Sequence, residues 1–175
     1  MTATLPVCYL AGPAIFHPAA KALYRYQVEL CRTHGLAALT PMDETGPVAG
    51  MSPAERAAAI RDANIDKLRA CDVVLACVSP FRGPGADAGT AWEMGYAEAL
   101  GKPVVAWCES VEPYVQRVPH DRDADGRLFC RQHGMQVEDF GLADNLMLAA
   151  GPVAVQPDFE TAVKLAARLA AGPPH

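Results

Sequence analysis

Residues 72–108 read D-V-V-L-A-C-V-S-P-F-R-G-P-G-A-D-A-G-T-A-W-E-M-G-Y-A-E-A-L-G-K-P-V-V-A-W-C. Asp72 to Ser79 is a nearly uniform apolar run, the pattern of a central strand covered on both faces. A Gly/Pro-rich loop follows and ends in an acid, Asp87. Ala88 to Leu100 then reads as a helix stopped by Gly101, and Val104 to Cys108 as a second buried strand. Two short apolar runs joined by a helix form a parallel crossover unit, which places the chain among α/β folds. The helix carries a second acid, Glu93. Backbone N–H groups and the macrodipole stabilise anions near a helix N-terminus, so a carboxylate held ionised there is a candidate nucleophile.

The same alternation extends in both directions. Val7 to Ala11 is a strand closed by Gly12-Pro13. Pro18 to Thr33 places Leu23, Tyr26, Val28 and Leu30 on an imperfect helical stripe with Gly35 just past its end. Leu36 to Thr40 is a short strand stopped by Pro41. Ser52-Pro53-Ala54-Glu55 is a capping box that opens a helix running to Ala70. Periodicity fails over Val111 to Gly141, which reads as a long loop with a short hairpin near Leu128 to Val137. Asp144 to Ala149 suits a short helix, and Asp158 to Ala171 a terminal one carrying Phe159, Val163, Leu165, Ala166 and Leu169. Open sheets of this kind bind ligands at the carboxyl ends of their strands. Residues 11–16 and 79–93 therefore face one crevice, and Tyr9, Asp87 and Glu93 come within reach of one another.

At 175 residues the expectation is one domain with a real core. A net charge of −5 without a Lys/Arg cluster argues against a phosphate-backbone partner and favours a small molecule. The six cysteines form no C-x-x-C pair and read as reduced core residues. Met1 to Tyr9 has no leader-like charge and apolar pattern, and no apolar run reaches membrane-spanning length, so a soluble cytoplasmic protein is expected. Asp121 to Gly126 opens like a calcium loop, but position twelve is Gln132 and a polar turn is the better reading. His17, His34, His120, His133 and His175 show no metal spacing, and neither metal nor cofactor is expected.

Several motifs in order, Y-L-A-G-P from Tyr9, P-F-R-G-P, D-A-G-T-A-W-E-M-G-Y-A and D-F-G-L-A-D-N-L-M from Asp139 to Met147, resemble the nucleoside 2-deoxyribosyltransferase family. The resemblance implies a doubly wound, flavodoxin-like, mostly parallel five-stranded sheet with helices on both faces. The runs above place four of its strands. It also implies transfer of 2-deoxyribose between nucleobases through a covalent glycosyl-glutamate, with retained configuration. Glu93 would be the nucleophile, Tyr9 its orienting hydroxyl and Asp87 the acid beside the base. Asn145 matches an asparagine supplied by a neighbouring subunit to hold the sugar 5′-hydroxyl, which implies a homo-oligomer, dimer-based and up to a hexamer. It also suits a helix N-cap. Gly12, Phe16, Phe81, Gly89 and Met147 complete the expected substrate contacts, with Phe16 either stacking on the base or packing.

One departure stands out. Where some members carry a further catalytic aspartate this chain has Asn64, with Asp66 two residues on. Either Asp87 alone handles the base or Asp66 takes that part, while Asn64 offers an amide to the base edge. Deoxynucleosides and free bases are the implied partners. Two alternatives remain: an N-glycosidase of nucleosides or their monophosphates, with Arg82 as the loop's phosphate ligand, and a non-catalytic nucleotide-binding module.

Overall fold

The computed structural model describes residues 4–43, 50–110 and 112–171. The first three residues of the amino-terminal stretch, Val111 and His175 lie outside them. The central sheet is built from β1 (Val7–Ala11), β2 (Ala37–Leu39), β3 (Val73–Cys77), β4 (Val104–Trp107) and β7 (Ala154–Gln156). Its order is β2-β1-β3-β4-β7, and every neighbouring pair is parallel. β3 is buried at all five positions, as its unbroken apolar sequence requires of a strand between two others.

Side chains alternate across the sheet. One face carries Cys8, Leu10, Val73, Leu75 and Val105 against α1 (Ala20–Thr33) and α6 (Phe159–Ala170). The opposite face carries Tyr9, Ala11, Val74, Ala76 and Val104 against Leu68 of α2 (Pro53–Ala70) and Met94 and Ala97 of α3 (Ala88–Ala99). The capping box of α2 is complete, with the Glu55 amide donating to Ser52 Oγ at 3.3 Å and the Ser52 amide to Glu55 Oε2 at 2.8 Å. Gly35 and Gly101 take φ of +79° and +71°, the left-handed conformation that ends α1 and α3.

Three expectations need correction. The buried face of α1 is Ala20, Tyr24 and Cys31; Leu23 and Tyr26 point outward, Tyr26 being 61% exposed. A short 3-10 turn, Pro13–Phe16, precedes that helix and displaces its start to Ala20. The stretch before Gly141 pairs near Leu128 to Val137 as expected, but it is more ordered than a long loop with one hairpin. It holds α4 (Tyr114–Arg117) and an antiparallel hairpin of β5 (His120–Arg122) with β6 (Leu128–Cys130), and Phe129 also bridges to Gln136. Val115, Val118, Leu128 and Val137 give this segment a small core of its own. In the Asp121–Gly126 turn the cation is a side chain, since Arg127 pairs with Asp123 and Asp125 at 2.8 Å each.

Candidate active site

β1 and α3 bring the two main candidates together. Tyr9, fully buried on β1, donates from its hydroxyl to Glu93 Oε1 at 2.7 Å. Glu93 lies six residues past the N-cap of α3, beyond the first turn in which the macrodipole acts strongly. Burial pushes its carboxyl up to about 7; the Tyr9 hydrogen bond opposes the rise, the Asp87 charge adds to it and the Lys67 charge opposes it. The helix end therefore does not hold Glu93 ionised, as the sequence had suggested. Burial likewise pushes the Tyr9 phenol up, with the Glu93 charge reinforcing it, so Tyr9 stays a donor.

Asp87 is the N-cap of α3: its Oδ2 accepts from the Thr90 amide at 3.0 Å and the Thr90 hydroxyl at 3.2 Å. A Cβ at Gly89 would stand 2.9 Å from that same oxygen, so glycine there keeps the carboxylate in place. A Cβ at Gly12 would meet Cys77 Cβ at 2.8 Å, which shows how closely the ends of β1 and β3 approach. Phe16 and Phe81 stack with centroids 5.4 Å apart, and the Arg82 guanidinium lies over both rings at 4.9 and 4.6 Å. Phe16 is 56% exposed, a ring presented at the surface rather than packed in the core.

Asn64 and Asp66 part company. Asn64 Oδ1 accepts from Lys67 Nζ at 3.4 Å, and the same ammonium donates to the Thr40 and Asp43 carbonyls at 3.0 and 2.9 Å. Asp66 points outward and pairs with Arg69 at 3.2 Å, in a cleft lined by Arg61, Trp92 and Tyr96. Asn145 caps the short helix α5 (Leu146–Ala149): its Oδ1 accepts from the Met147 amide at 3.0 Å while its Nδ2 donates to Glu138. With Met147, which is 71% exposed, it lines a cavity of about 530 Å³ against Trp92, Gly95 and Glu98 of α3. Glu93 is not among the residues lining that cavity. Within one chain, then, Tyr9, Asp87 and Glu93 converge, while Asp66, Asn145 and Met147 do not join them.

Lys67 was missed by sequence reasoning, because its partners are backbone carbonyls 24 and 27 residues away. Asp144 and Arg117 were missed as well, and they join the loops around Asp87 and Asn145. Among the described residues no cluster of three or more His, Cys, Asp or Glu side chains is arranged to hold a metal, and no helix is long and apolar enough to cross a membrane.

Residues 8–147 match the family described as Nucleoside 2-deoxyribosyltransferase. Over 93% of its length the chain superposes on 97% of a 2-desoxiribosyltransferase from Leishmania mexicana, with 36% identity and a TM-score of 0.73. It shares its fold with a 2-deoxyribosyltransferase from Bacillus psychrosaccharolyticus at 19% identity, a TM-score of 0.60 and 90% coverage of each chain. An uncharacterized protein of Schizosaccharomyces pombe is 33% identical across 94% of this chain and 90% of its own length. With the parallel sheet, the motif order and these matches in agreement, the chain belongs to the nucleoside 2-deoxyribosyltransferase family.

Proposed function

We propose that the protein transfers 2-deoxyribose between nucleobases by two displacements at Glu93. The observation that carries this reading is the 2.7 Å hydrogen bond from Tyr9 to Glu93 Oε1 beside the Asp87 cap. The hydroxyl fixes one carboxylate oxygen and leaves Oε2 to attack the anomeric carbon. The C1′–N bond breaks as the C1′–O bond forms; Asp87 hands a proton to the departing base and, in the second displacement, takes one back from the N–H of the incoming base, so the proton count closes over the cycle. A second base then attacks C1′ from the face the first one left, the ester bond to Glu93 breaks, and the configuration is retained. A nucleophile titrating near neutrality combines a substantial ionised fraction with high basicity, and Tyr9 and Lys67 tune that balance.

Phe16, exposed, and Phe81, half-buried beneath the same guanidinium, offer a surface for a planar base. Asn145 and Met147 act on the active site of a neighbouring copy, which accounts for their separation from Glu93 within one chain. The functional protein is accordingly a homo-oligomer working on deoxynucleosides and free nucleobases.

The test is an exchange assay. A deoxynucleoside incubated with a different free base yields the exchanged nucleoside, and mass spectrometry of quenched reactions finds a deoxyribosyl ester on Glu93. Release of free sugar at a rate independent of any acceptor base would replace transfer by hydrolysis. Failure to trap an ester with a 2-fluoro nucleoside would remove the covalent step.

A further inference from the structure

We propose that Asp144, held by Arg117, is a positioning residue that sets the loop carrying Asp87 and the corner carrying Asn145 as one unit. This rests on the reading of Asp87 as the group that protonates the departing base. Asp144 is 4% exposed, yet its carboxylate spans two segments far apart in sequence. Its Oδ2 accepts from the Ala86 amide at 2.9 Å, one residue before Asp87, and its Oδ1 from the Asn145 amide at 2.7 Å. One side chain thus grips the backbone next to both polar candidates.

Arg117 completes the brace from α4. Its Nη2 stands 3.8 Å from Asp144 Oδ2 and also donates to the Ala143 carbonyl. Its Nε donates to the Pro84 carbonyl at 2.9 Å and its Nη1 to the Glu112 carbonyl at 2.7 Å. The loop is closed on itself by the Phe81 amide donating to the Gly85 carbonyl at 2.9 Å. A Cβ at Gly85 would lie 3.4 Å from Asp144 Oδ1, so the loop backbone rests almost against the carboxylate. Arg82, in the same loop, has a φ of +55°, a conformation that a non-glycine residue keeps only where its surroundings enforce it. Glu93, by contrast, lies six residues beyond the Asp87 cap of α3 and takes its own hydrogen bond from Tyr9 on the central sheet rather than from the brace.

That division gives a test that separates positioning from folding. Departure of a base from 2′-deoxyinosine needs a proton as the C1′–N bond breaks. The base of 7-methyl-2′-deoxyguanosine is already cationic and leaves neutral without one. Both nucleosides are assayed with wild-type protein, with Asp144→Asn, and with Arg117→Lys, which keeps the charge but loses the planar fork. We expect kcat/KM on deoxyinosine to fall about 100-fold in the variants, the cost of a proton donor displaced by roughly 1 Å, while the methylated substrate, which needs no proton but shares the Asn145 contact, loses no more than about 10-fold. Equal losses on both substrates mark a protein that is merely less folded and overturn the proposal. Unchanged rates on deoxyinosine overturn it too. A wild-type protein that cleaves neither nucleoside defeats the functional reading itself, and this proposal falls with it.

Discussion

Burial pushes up the carboxyls of both Glu93 and Asp144, and the protein surrounds the two acids differently. Asp144 receives two backbone N–H groups and a guanidinium. Burial holds its carboxyl above the usual range even so, with those three donors opposing the rise. Glu93 receives one phenol and feels the repulsion of Asp87, so burial wins and its carboxyl rises to about 7. A carboxylate whose lone pairs are filled by the backbone is inert scaffolding. One left with a free oxygen and a like charge nearby is costly to keep and reactive.

The largest expected effect breaks this comparison at Glu93. Glu93→Gln lowers turnover by on the order of 10⁴-fold or more, since the nucleophile is gone. The same change is expected to stabilise the fold at alkaline pH. Because the folded carboxyl titrates near 7 and the unfolded one near 4.5, its contribution to stability is complete below about pH 4.5 and is lost as pH rises through about 7. The loss amounts to about 3 kcal/mol at most. Urea unfolding at pH 5 and pH 8 checks the sign: wild type loses stability across that interval relative to Glu93→Gln. Parallel behaviour of the two proteins would mean that Glu93 is not a high-pKa acid.

Next in size are shifts of the acid limb of kcat/KM, which reports the ionisation of Glu93 and lies near pH 7. Tyr9→Phe removes the hydrogen bond that favours the carboxylate and moves the limb to higher pH, along with a fall in rate. Asp87→Asn removes the repelling charge and moves it to lower pH, while Lys67→Met moves it upward again. Opposite displacements from Tyr9 and Asp87 are the signature of one carboxyl under two influences. Displacements of the same sign would place the titrating group elsewhere.

How much of this could be read from the chain follows from the range of the interactions. β1, β3 and β4 were placed to within two residues of their ends, because a strand buried on both faces is written as a continuous apolar run. β7 was invisible: Ala154–Gln156 is three half-buried residues between prolines. The face of α1 was misread since its buried members include an alanine and a cysteine, and the larger Leu23 and Tyr26 drew the stripe outward. At the site, strand-end geometry correctly joined Tyr9 to Glu93 across 84 residues. The charge state was reversed, because six residues of helix separate Glu93 from the cap and no local pattern encodes desolvation. Asp144, Arg117 and Lys67 work mainly through backbone atoms brought close only by the tertiary fold, and no residue spacing announces that.

The smallest expected effect concerns a second tyrosine and sharpens the contrast from the other side of the sheet. Tyr24 on α1 is buried, and its hydroxyl has no hydrogen-bond partner among the described residues, although the Ile15 backbone lies near enough to soften the upward push of burial on the phenol. It lines a cavity of about 30 Å³ with Gly12, Gln27 and Cys77 at the strand ends, and it feels the Glu93 charge. Such a space has room for a single water. Removing a hydroxyl that bonds to nothing strands no partner, so Tyr24→Phe should change stability by less than about 1 kcal/mol and leave the pH profile in place. Thermal unfolding and the acid limb of kcat/KM, measured beside Tyr9→Phe, check it. If Tyr24→Phe displaces the limb as Tyr9→Phe does, the cavity holds a water that carries the Tyr24 hydroxyl to Glu93, and the nucleophile has two donors instead of one.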